Sequence, residues 1–414
     1  MNEPPPWQVG PHGGTLVHVV GRLDAGVAGF LGPATTTLAE AGIAQCVVWI
    51  DAPDQAGLLE RLDPRVERLP VADAGGVLRR WRVFAAQVRR IVAERRVCGM
   101  HLHGLAPLLW TRRIARRAGP GVPVYFSPHA APGLGARSAW GLRPGWLLKG
   151  WLAVTGQRAI VTMLEEAAAL HRATQAPMQV VENAVPAVYF DTPRREARHP
   201  LIVTGGRGDD RRAVELFVQL AVLLSGSQLN LSFNWIGRLG PESIAQLKAA
   251  NVGYVETDDD GVMATRLAAG WIYLAPTDSA TGFPVVVAAA MALGLPCLVL
   301  GSPEHSDLLR DGETGYLCST ELEVMERIGR LIDERPLRRQ IGQAGRREAE
   351  RRFSPERFRA ALLAAYDLPP APPAALLGHD EQTDDHPGGA LDASALLRGL
   401  DSRPVRYATD GSEV

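Results

Sequence analysis

The sequence lacks the features that would place it in a specialised class of protein. No run of its 414 residues approaches the roughly 18 apolar residues that a membrane-spanning helix needs. Basic and acidic side chains nearly cancel, giving a formal net charge of -1, so bulk charge indicates no nucleic-acid partner. The first 14 residues have neither a basic start nor an apolar segment. We therefore expect no signal peptide and a cytoplasmic location, with peripheral contact at the inner face of the membrane as an open question.

Cysteine is also scarce. The four cysteines, Cys46, Cys98, Cys297 and Cys318, lie far apart and show no C-x-x-C spacing. We expect them to be small core residues of a protein in a reducing compartment, forming neither a disulfide framework nor a zinc site.

Apolar residues are plentiful, and they are arranged in alternating strand and helix patterns. At 46 % of the chain they are sufficient for two domain cores. The alternation predicts an α/β protein, and its first strand, loop, helix and strand open a Rossmann-like half. We expect an N-terminal domain over 15–190, a linker over 191–200 and a C-terminal domain over 201–367. Residues 1–14 and 368–414 are predicted to be disordered.

The first strand, which begins at Thr15, is followed by a glycine-containing loop. We predict that this loop covers 22–29, with Gly26 and Gly29 in it, and that a helix runs from about Leu31 to Ala41. Glycines at such a place either allow the backbone to approach a ligand closely or simply make a tight turn. Both interpretations remain open at this point.

A strongly basic amphipathic helix is predicted over 76–96. Its cations are Arg79, Arg80, Arg82, Arg89, Arg90, Arg95 and Arg96. The pattern is typical of a helix that packs one face on a domain and leaves the other in solvent. Binding to an anionic lipid surface is the alternative.

His101 and His103 lie two residues apart on a predicted strand, so their side chains point to the same face. Two imidazoles could bind a metal ion, but no third ligand at a suitable spacing accompanies them, and we predict no metal site. The consecutive Asp258, Asp259 and Asp260 are assigned to helix capping and solvent.

The most informative stretch is 275–300. It predicts the end of a strand, a polar loop, a helix from about Val285 to Leu293, a stop at Gly294 and a second buried strand. The first turn of a helix presents unpaired N–H groups and a partial positive charge, which suit a phosphate.

This stretch resembles the donor-binding core of the retaining GT-B glycosyltransferases, the large family 4 (group 1) type that includes sucrose synthase and phosphatidylinositol mannosyltransferase. The matching residues are Gly282, Phe283, Pro284, Met291, Ala292, Gly294 and Pro296. Two family glutamates, eight positions apart, are replaced here by Thr281 and Ala289. A second match, Gly301 to Gly315 with Glu304 in it, resembles the segment that follows in relatives.

The resemblance implies two Rossmann-like domains that face each other across a cleft, with the nucleotide held by the second domain. It implies that Gly26 lies in a ligand-binding loop and that His129 lies near the transferred sugar. Arg207 matches an arginine, and Arg212 stands at a lysine position, of the pair that grips the donor diphosphate in relatives. Because cations are disfavoured at a helix start, these two arginines also indicate an anion by themselves.

The same resemblance implies the remaining site residues and the reaction. In place of the missing glutamates, Thr281 is expected to offer one hydroxyl and either Asp278 or Glu304 to reach the sugar from a neighbouring loop, while Gly282, Phe283 and Pro284 form the backbone of the site. No cofactor or metal is implied, since the nucleotide-diphosphate sugar is itself the donor substrate.

We expect transfer with retention to a glycan or lipid-linked acceptor in polysaccharide or glycolipid assembly. The alternative is a catalytically inactive homologue that regulates or scaffolds a glycan-assembly enzyme, because both motif glutamates are missing.

Overall fold

In the computed structural model the chain forms two parallel sheets covered by helices. The structure describes residues 13–52, 55–72, 75–104, 107, 111, 114, 122–129, 158–163, 167, 170–171, 178–206, 211–225, 231–276, 285–301, 308–368 and 391–392.

The first sheet is built from the first half of the chain and one short segment near its end. Its strands are β1 Thr15–Val20, β2 Ala44–Ile50, β3 Glu67–Val71, β4 Val97–His103, β5 Val124–Ser127, β6 Arg158–Val161, β7 Met178–Val180 and β14 Leu391–Asp392. They lie in the order β14-β7-β6-β5-β4-β1-β2-β3. β14 pairs antiparallel with β7, inside the segment predicted to be a disordered tail, and the other pairings in this sheet are parallel.

The second sheet uses residues of the second half alone. Its strands are β8 Leu201–Gly205, β9 Ser232–Ile236, β10 Gly253–Val255, β11 Ile272–Pro276, β12 Cys297–Leu300 and β13 Tyr316–Cys318. The order is β10-β9-β8-β11-β12-β13, with parallel pairing throughout. In both sheets the first strand lies in the middle and the next two strands extend the sheet to one edge. The strands that follow lie on the other side of the first strand, as in Rossmann-like folds.

Helices cover both sheets. In the described part of the first half they are α1 Ala25–Glu40, α2 Ala56–Leu59, α3 Val77–Glu94 and α4 Ala187–Asp191. In the second half they are α5 Arg211–Ser225, α6 Pro241–Ala249, α7 Asp260–Leu267, α8 Val285–Ala292, α9 Glu321–Asp333, α10 Arg335–Phe353 and α11 Pro355–Ala365. None of the helices described is long and apolar enough to cross a membrane.

The predicted fold class is confirmed, and several local predictions are confirmed with it. α8 occupies the predicted positions and ends before Gly294, whose φ of 74° is the left-handed conformation expected of a helix stop. Asp259 caps α7 by accepting a hydrogen bond from the N–H of Val262 at 2.8 Å. The four cysteines are free thiols in buried or half-buried positions.

The predicted start of the first helix is wrong. α1 begins at Ala25, because the side chain of Asp24 accepts a hydrogen bond from the N–H of Val27 at 2.9 Å and so caps the helix earlier. Gly26 and Gly29 consequently lie inside α1 and not in a loop. Neither has a positive φ, so neither is required for an unusual backbone conformation. A ligand-binding role for Gly26 stays a prediction.

The end of the described chain returns to the first half. α11 packs on α1, with the rings of Phe30 and Phe358 edge to face and 6.0 Å apart between centroids. Tyr366 follows α11, is 6 % exposed, and places its hydroxyl 2.5 Å from Nδ1 of His101 on β4. The first sheet is therefore completed by residues from the far end of the sequence.

Candidate active site

Each sheet has one point where its strand order reverses. In the first sheet this switch point lies between β1 and β4, and in the second it lies between β8 and β11. Ligands of open α/β sheets bind in the crevice beyond the carboxyl ends of the strands at such a point. The residues that follow these four strands are therefore the first candidates for a binding site.

At the switch point of the second sheet, three glycines let two loops approach closely. Gly205 ends β8, Gly206 follows it with a φ of 122°, and Gly237 follows β9 with a φ of 139°. A Cβ atom on residue 237 would come within 2.2 Å of the carbonyl oxygen of Gly206. Side chains larger than hydrogen are thus excluded from the contact between these loops.

The N-terminus of α8 lies beside the same glycines. A Cβ atom on Gly205 would lie 3.1 Å from Cγ1 of Val286, and one on Gly206 would lie 3.6 Å from its Cγ2. Val286 belongs to the first described turn of α8, so this turn lies beside the end of β8. A phosphate site between them stays a prediction.

Several predicted site residues fall outside the described residues. They are Arg207, Asp278, Thr281, Gly282, Phe283, Pro284 and Glu304. Their assignment to the site stays a prediction from the sequence.

Arg212 is described and lies in the first turn of α5, directly beyond the loop that follows β8. Its side chain is exposed. The preceding Arg211 forms an ion pair with Glu215, one turn further along, with 2.8 Å between Nε and Oε1. Arg211 and Arg212 are both exposed in the first turn of α5.

Ala289, at one of the two positions where the resembled family has glutamate, lies in the interior of the second domain. It is 1 % exposed and packs in the core cluster that includes Val287 and Met291. Its methyl group offers no hydrogen bond to a ligand.

At the switch point of the first sheet, the structure brings together histidines from neighbouring strands. His18 on β1 is paired in register with His101 on β4, and His103 follows two residues later. Ring nitrogens of these three side chains lie within 4.8 Å of one another. The expectation that no third imidazole accompanies His101 and His103 is therefore wrong.

A series of hydrogen bonds connects this cluster to Gln45 on β2 and to His129 at the carboxyl end of β5. Oε1 of Gln45 lies 3.3 Å from Nε2 of His18, and Nδ1 of His18 lies 3.2 Å from Nε2 of His103. Nδ1 of His103 lies 2.8 Å from Nε2 of His129. We call this series, Gln45, His18, His103 and His129, the histidine relay.

His101 belongs to a second, separate set of hydrogen bonds. Its Nε2 lies 2.8 Å from Oγ of Ser127, and its Nδ1 lies 2.5 Å from the hydroxyl of Tyr366. Ser127 in turn donates to the carbonyl oxygen of Ile160 at 2.6 Å. In the three imidazoles that could share a metal ion, both ring nitrogens thus already have hydrogen-bond partners.

Burial keeps all of these histidines neutral. Desolvation lowers the pKa of His18 to about 4, against a weaker opposing effect of the Gln45 hydrogen bond. It lowers the pKa of His129 to about 4 as well. The pKa values of His101 and His103 are also lowered, first by burial and then by the neighbouring imidazoles.

His129, predicted to lie near the sugar, stands at the carboxyl end of β5. Its φ of 50° is a left-handed conformation that costs a residue with a side chain about 1 kcal/mol or more. Part of the residue reaches solvent, while its ring packs edge to face on Phe30, 5.4 Å away, and stacks on His103, 5.1 Å away. A strained backbone with a ring held from two sides is typical of a functional position.

Two members of the relay were missed by the sequence interpretation. Gln45 gives no signal in the sequence, since a polar residue in an apolar strand is common. His18 could have been found, because the strand order of a Rossmann-like half places the first strand beside the strand of His101 and His103.

Comparison with known proteins gives a family match for part of the chain. Residues 199–334 match the family described as "Glycosyl transferases group 1". No curated protein matches the sequence.

Solved structures match over most of the chain. A glycosyltransferase from Rickettsia africae ESF-5 has a TM-score of 0.70 at 14 % identity, covering 85 % of this chain and 97 % of that one. Anabaena Alr3699/HepE, in complex with UDP, has a TM-score of 0.67 at 12 % identity, with coverage of 83 % and 97 %. Sucrose-phosphate synthase from Thermosynechococcus elongatus has a TM-score of 0.63 at 16 % identity, covering 83 % of this chain and 96 % of that one.

These likenesses establish the fold. The chain has the GT-B arrangement of two Rossmann-like domains facing each other across a cleft. The family match covers β8 to α9, and hence the second switch point with its glycines and the start of α8.

Proposed function

We propose that this protein is a glycosyltransferase that takes a sugar from a nucleotide-diphosphate donor and transfers it to a glycan or lipid-linked acceptor. The observation that carries the proposal is the overlap between the group 1 family match and the glycine contact of Gly206 and Gly237 beside α8. Backbone that approaches so closely at a helix start suits a diphosphate. HepE, which shares the fold, is solved with UDP and with UDP-glucose.

In the proposed reaction the bond between the anomeric carbon and the diphosphate breaks, and a bond to the acceptor oxygen forms on the same face. The acceptor proton passes to an oxygen of the departing diphosphate. Arg207 and Arg212 would stabilise the charge that develops on this leaving group, which is the main contribution asked of the protein. His129, at the end of β5 in the other domain, would accept a hydrogen bond from the sugar.

Contact with a lipid surface is part of the proposal for the acceptor side. α3 leaves Leu78 63 % and Val83 41 % exposed, and the neighbouring Arg79, Arg82 and Arg89 are exposed on the same helix. Apolar side chains among cations suit an anionic membrane surface.

The second candidate is a homologue that binds a nucleotide without transferring sugar. It is favoured by the buried Ala289, which replaces a carboxylate of the resembled family by a methyl group. A lost hydrogen bond to a charged group costs about 1.5 to 3 kcal/mol. Losing two such bonds would lower donor binding or turnover by a factor on the order of 10² to 10⁴.

Calorimetric titration with UDP, GDP and ADP and their glucose conjugates distinguishes the candidates. Tight binding of one nucleotide sugar, together with release of the nucleoside diphosphate when acceptor glycans or lipids are added, is the result that the transferase proposal requires. Binding without release under any acceptor condition favours the second candidate. If no nucleotide binds at millimolar concentration, the proposed donor site is wrong.

A further inference from the structure

The direction of the hydrogen bonds in the histidine relay is determined at its buried end. Nε2 of Gln45 donates to the main-chain carbonyl oxygen of Thr35 at 2.9 Å. A carbonyl oxygen can only accept, so the amide group of Gln45 has one possible orientation, with Oε1 turned toward His18. That oxygen also only accepts, and Nε2 of His18 must therefore carry a proton.

A neutral imidazole has one donor and one acceptor nitrogen, and this rule transmits the direction along the relay. Since Nε2 of His18 donates to Gln45, Nδ1 of His18 accepts, and Nε2 of His103 must be its donor. Nδ1 of His103 then accepts from Nε2 of His129. The proton of His129 is thus on Nε2, and its Nδ1 keeps a lone pair.

Without Gln45 the relay would have no preferred direction. The reversed set, with all three protons on Nδ1, joins the same nitrogens by the same number of hydrogen bonds. In the reversed set the lone pair of His18 Nε2 would face Oε1 of Gln45, and these two acceptors would repel each other. One buried amide therefore decides the tautomer of a histidine two imidazoles away.

We propose that Gln45 is a positioning residue for the transfer reaction, which acts through His18 and His103 to present His129 as a hydrogen-bond acceptor at Nδ1. The inference rests on the proposed function and adds a specificity to it. The group received by Nδ1 is an O–H or N–H donor, such as a sugar hydroxyl, whereas a carbonyl or phosphate oxygen at that place would be repelled.

Neutrality of the relay is part of the same arrangement. His18, His101 and His103 are at most 2 % exposed, and burial holds the pKa values of all four histidines below the ordinary range. A cationic imidazole would donate from both nitrogens and would break the series at its neighbour. His129, whose backbone has a left-handed conformation, makes the last hydrogen bond of the relay.

His101 provides an internal control within the same protein. Ser127 donates to Ile160 and so must accept from Nε2 of His101, which places the proton of His101 on Nε2 independently of Gln45. Its Nδ1 then accepts from the hydroxyl of Tyr366. A change at Gln45 should leave the tautomer of His101 as it is.

The first test is nuclear magnetic resonance of the full chain labelled with ¹⁵N and ¹³C at histidine, which distinguishes Nε2–H, Nδ1–H and cationic rings. At pH 7 we expect His18, His101, His103 and His129 all to be neutral with the proton on Nε2. In Gln45→Leu the three relay histidines should show a larger share of Nδ1–H than in the unaltered protein, while His101 keeps its proton on Nε2. A relay histidine with a proton on Nδ1 in the unaltered protein overturns the inference.

The second test is the rate of transfer with the donor sugar found by titration. Gln45→Leu should lower kcat about tenfold or more, with the donor KM changed less than about threefold. Gln45→Met has nearly the same length but only a weak acceptor, so it should lower kcat by a similar factor. Thr35→Val should keep the activity, since the carbonyl of residue 35 that orients Gln45 is unchanged.

The two tests separate the inference from the function on which it rests. If the tautomers are as expected and no donor is turned over, the proposed function fails while the relay stands. If transfer occurs and kcat is the same in Gln45→Leu as in the unaltered protein, the positioning role of Gln45 fails while the transferase stands. A kcat in Gln45→Met equal to that of the unaltered protein would also overturn it, because it would indicate a packing effect.

Discussion

Gly237 and Gly206 lie so close together that a Cβ atom on residue 237 would be 2.2 Å from the Gly206 carbonyl oxygen. Residue 237 also has a φ of 139°, which disfavours any side chain. We expect Gly237→Ala to lower the free energy of unfolding by about 3 kcal/mol. Because the displaced loop follows β8 beside α8, the variant should also bind a nucleoside diphosphate more weakly, as measured by calorimetry.

Gly240 gives the matched control for this change. It has a φ of -86°, and a Cβ atom there would meet no other atom within 4 Å. Gly240→Ala should therefore change neither the unfolding midpoint nor the affinity appreciably. Similar effects of the two substitutions would mean that the contact between the loops does not shape the site.

Arg212 and Arg211 allow the anion site to be tested with adjacent residues of the same charge. We expect Arg212→Ala to weaken binding of the donor nucleotide about 10- to 100-fold, which corresponds to one lost charge-assisted hydrogen bond. Arg211→Ala should change the affinity by much less, since the family resemblance assigns Arg212, and not Arg211, to the pair that grips the diphosphate. Equal losses would show that overall charge, and not a specific contact, attracts the nucleotide.

The buried histidines predict a loss of stability in mild acid. His18 and His129 have pKa values of about 4 in the folded protein and about 6.5 when unfolded. Between these values the unfolded chain binds more protons, so stability is complete above pH 6.5 and falls as the pH is lowered toward 4. Each such histidine costs about 1.4 kcal/mol per pH unit in that range.

Thermal unfolding measured from pH 7 to pH 5 checks this prediction, because most carboxylates still remain ionised in that interval. An unfolding midpoint that does not change between pH 7 and pH 5 would contradict the neutral, buried state of the histidines.

Contact with lipid is tested by sedimentation with vesicles. Exposed apolar and cationic side chains alternate on α3, and we expect Arg79→Glu with Arg82→Glu to reduce binding to vesicles that contain anionic lipid about tenfold or more. The same reversals at Arg339 and Arg347, which are exposed on α10, serve as the control. Binding that is equal for both double variants, or equal for neutral and anionic vesicles, would contradict the prediction.

The sequence predicts the fold better than it predicts the contacts at the first switch point. The helix of α8 and its stop at Gly294 could be predicted because short-range signals determine them: apolar small residues, then a glycine. The sequence predicts the start of α1 too late. The capping signal of Asp24 is followed by a glycine-containing stretch, which is typical of a loop. Local patterns of this kind extend over a few residues only.

The histidine relay depends on a different kind of information. His18 and His103 are 85 residues apart, and Gln45 is 27 residues from His18. Their contacts follow from the register of parallel strands, which no local pattern specifies. For Tyr366 and His101 the separation is 265 residues, and only the return of α11 to the first domain brings the two together. The resemblance to a family singles out His129, and the strand order of a Rossmann-like half could have placed His18 beside His101.

The contact between Tyr366 and His101 affects the order in which the protein can fold. Synthesis proceeds from the N-terminus, and domains generally fold as they emerge. The first domain cannot complete its packing in that way. The hydroxyl that contacts His101 belongs to Tyr366 and the ring that packs on Phe30 belongs to Phe358, and both residues are made after the whole second sheet. A nascent chain halted before α11 would leave that face of the first domain uncovered. The two halves can therefore complete their packing only after α11 has been made.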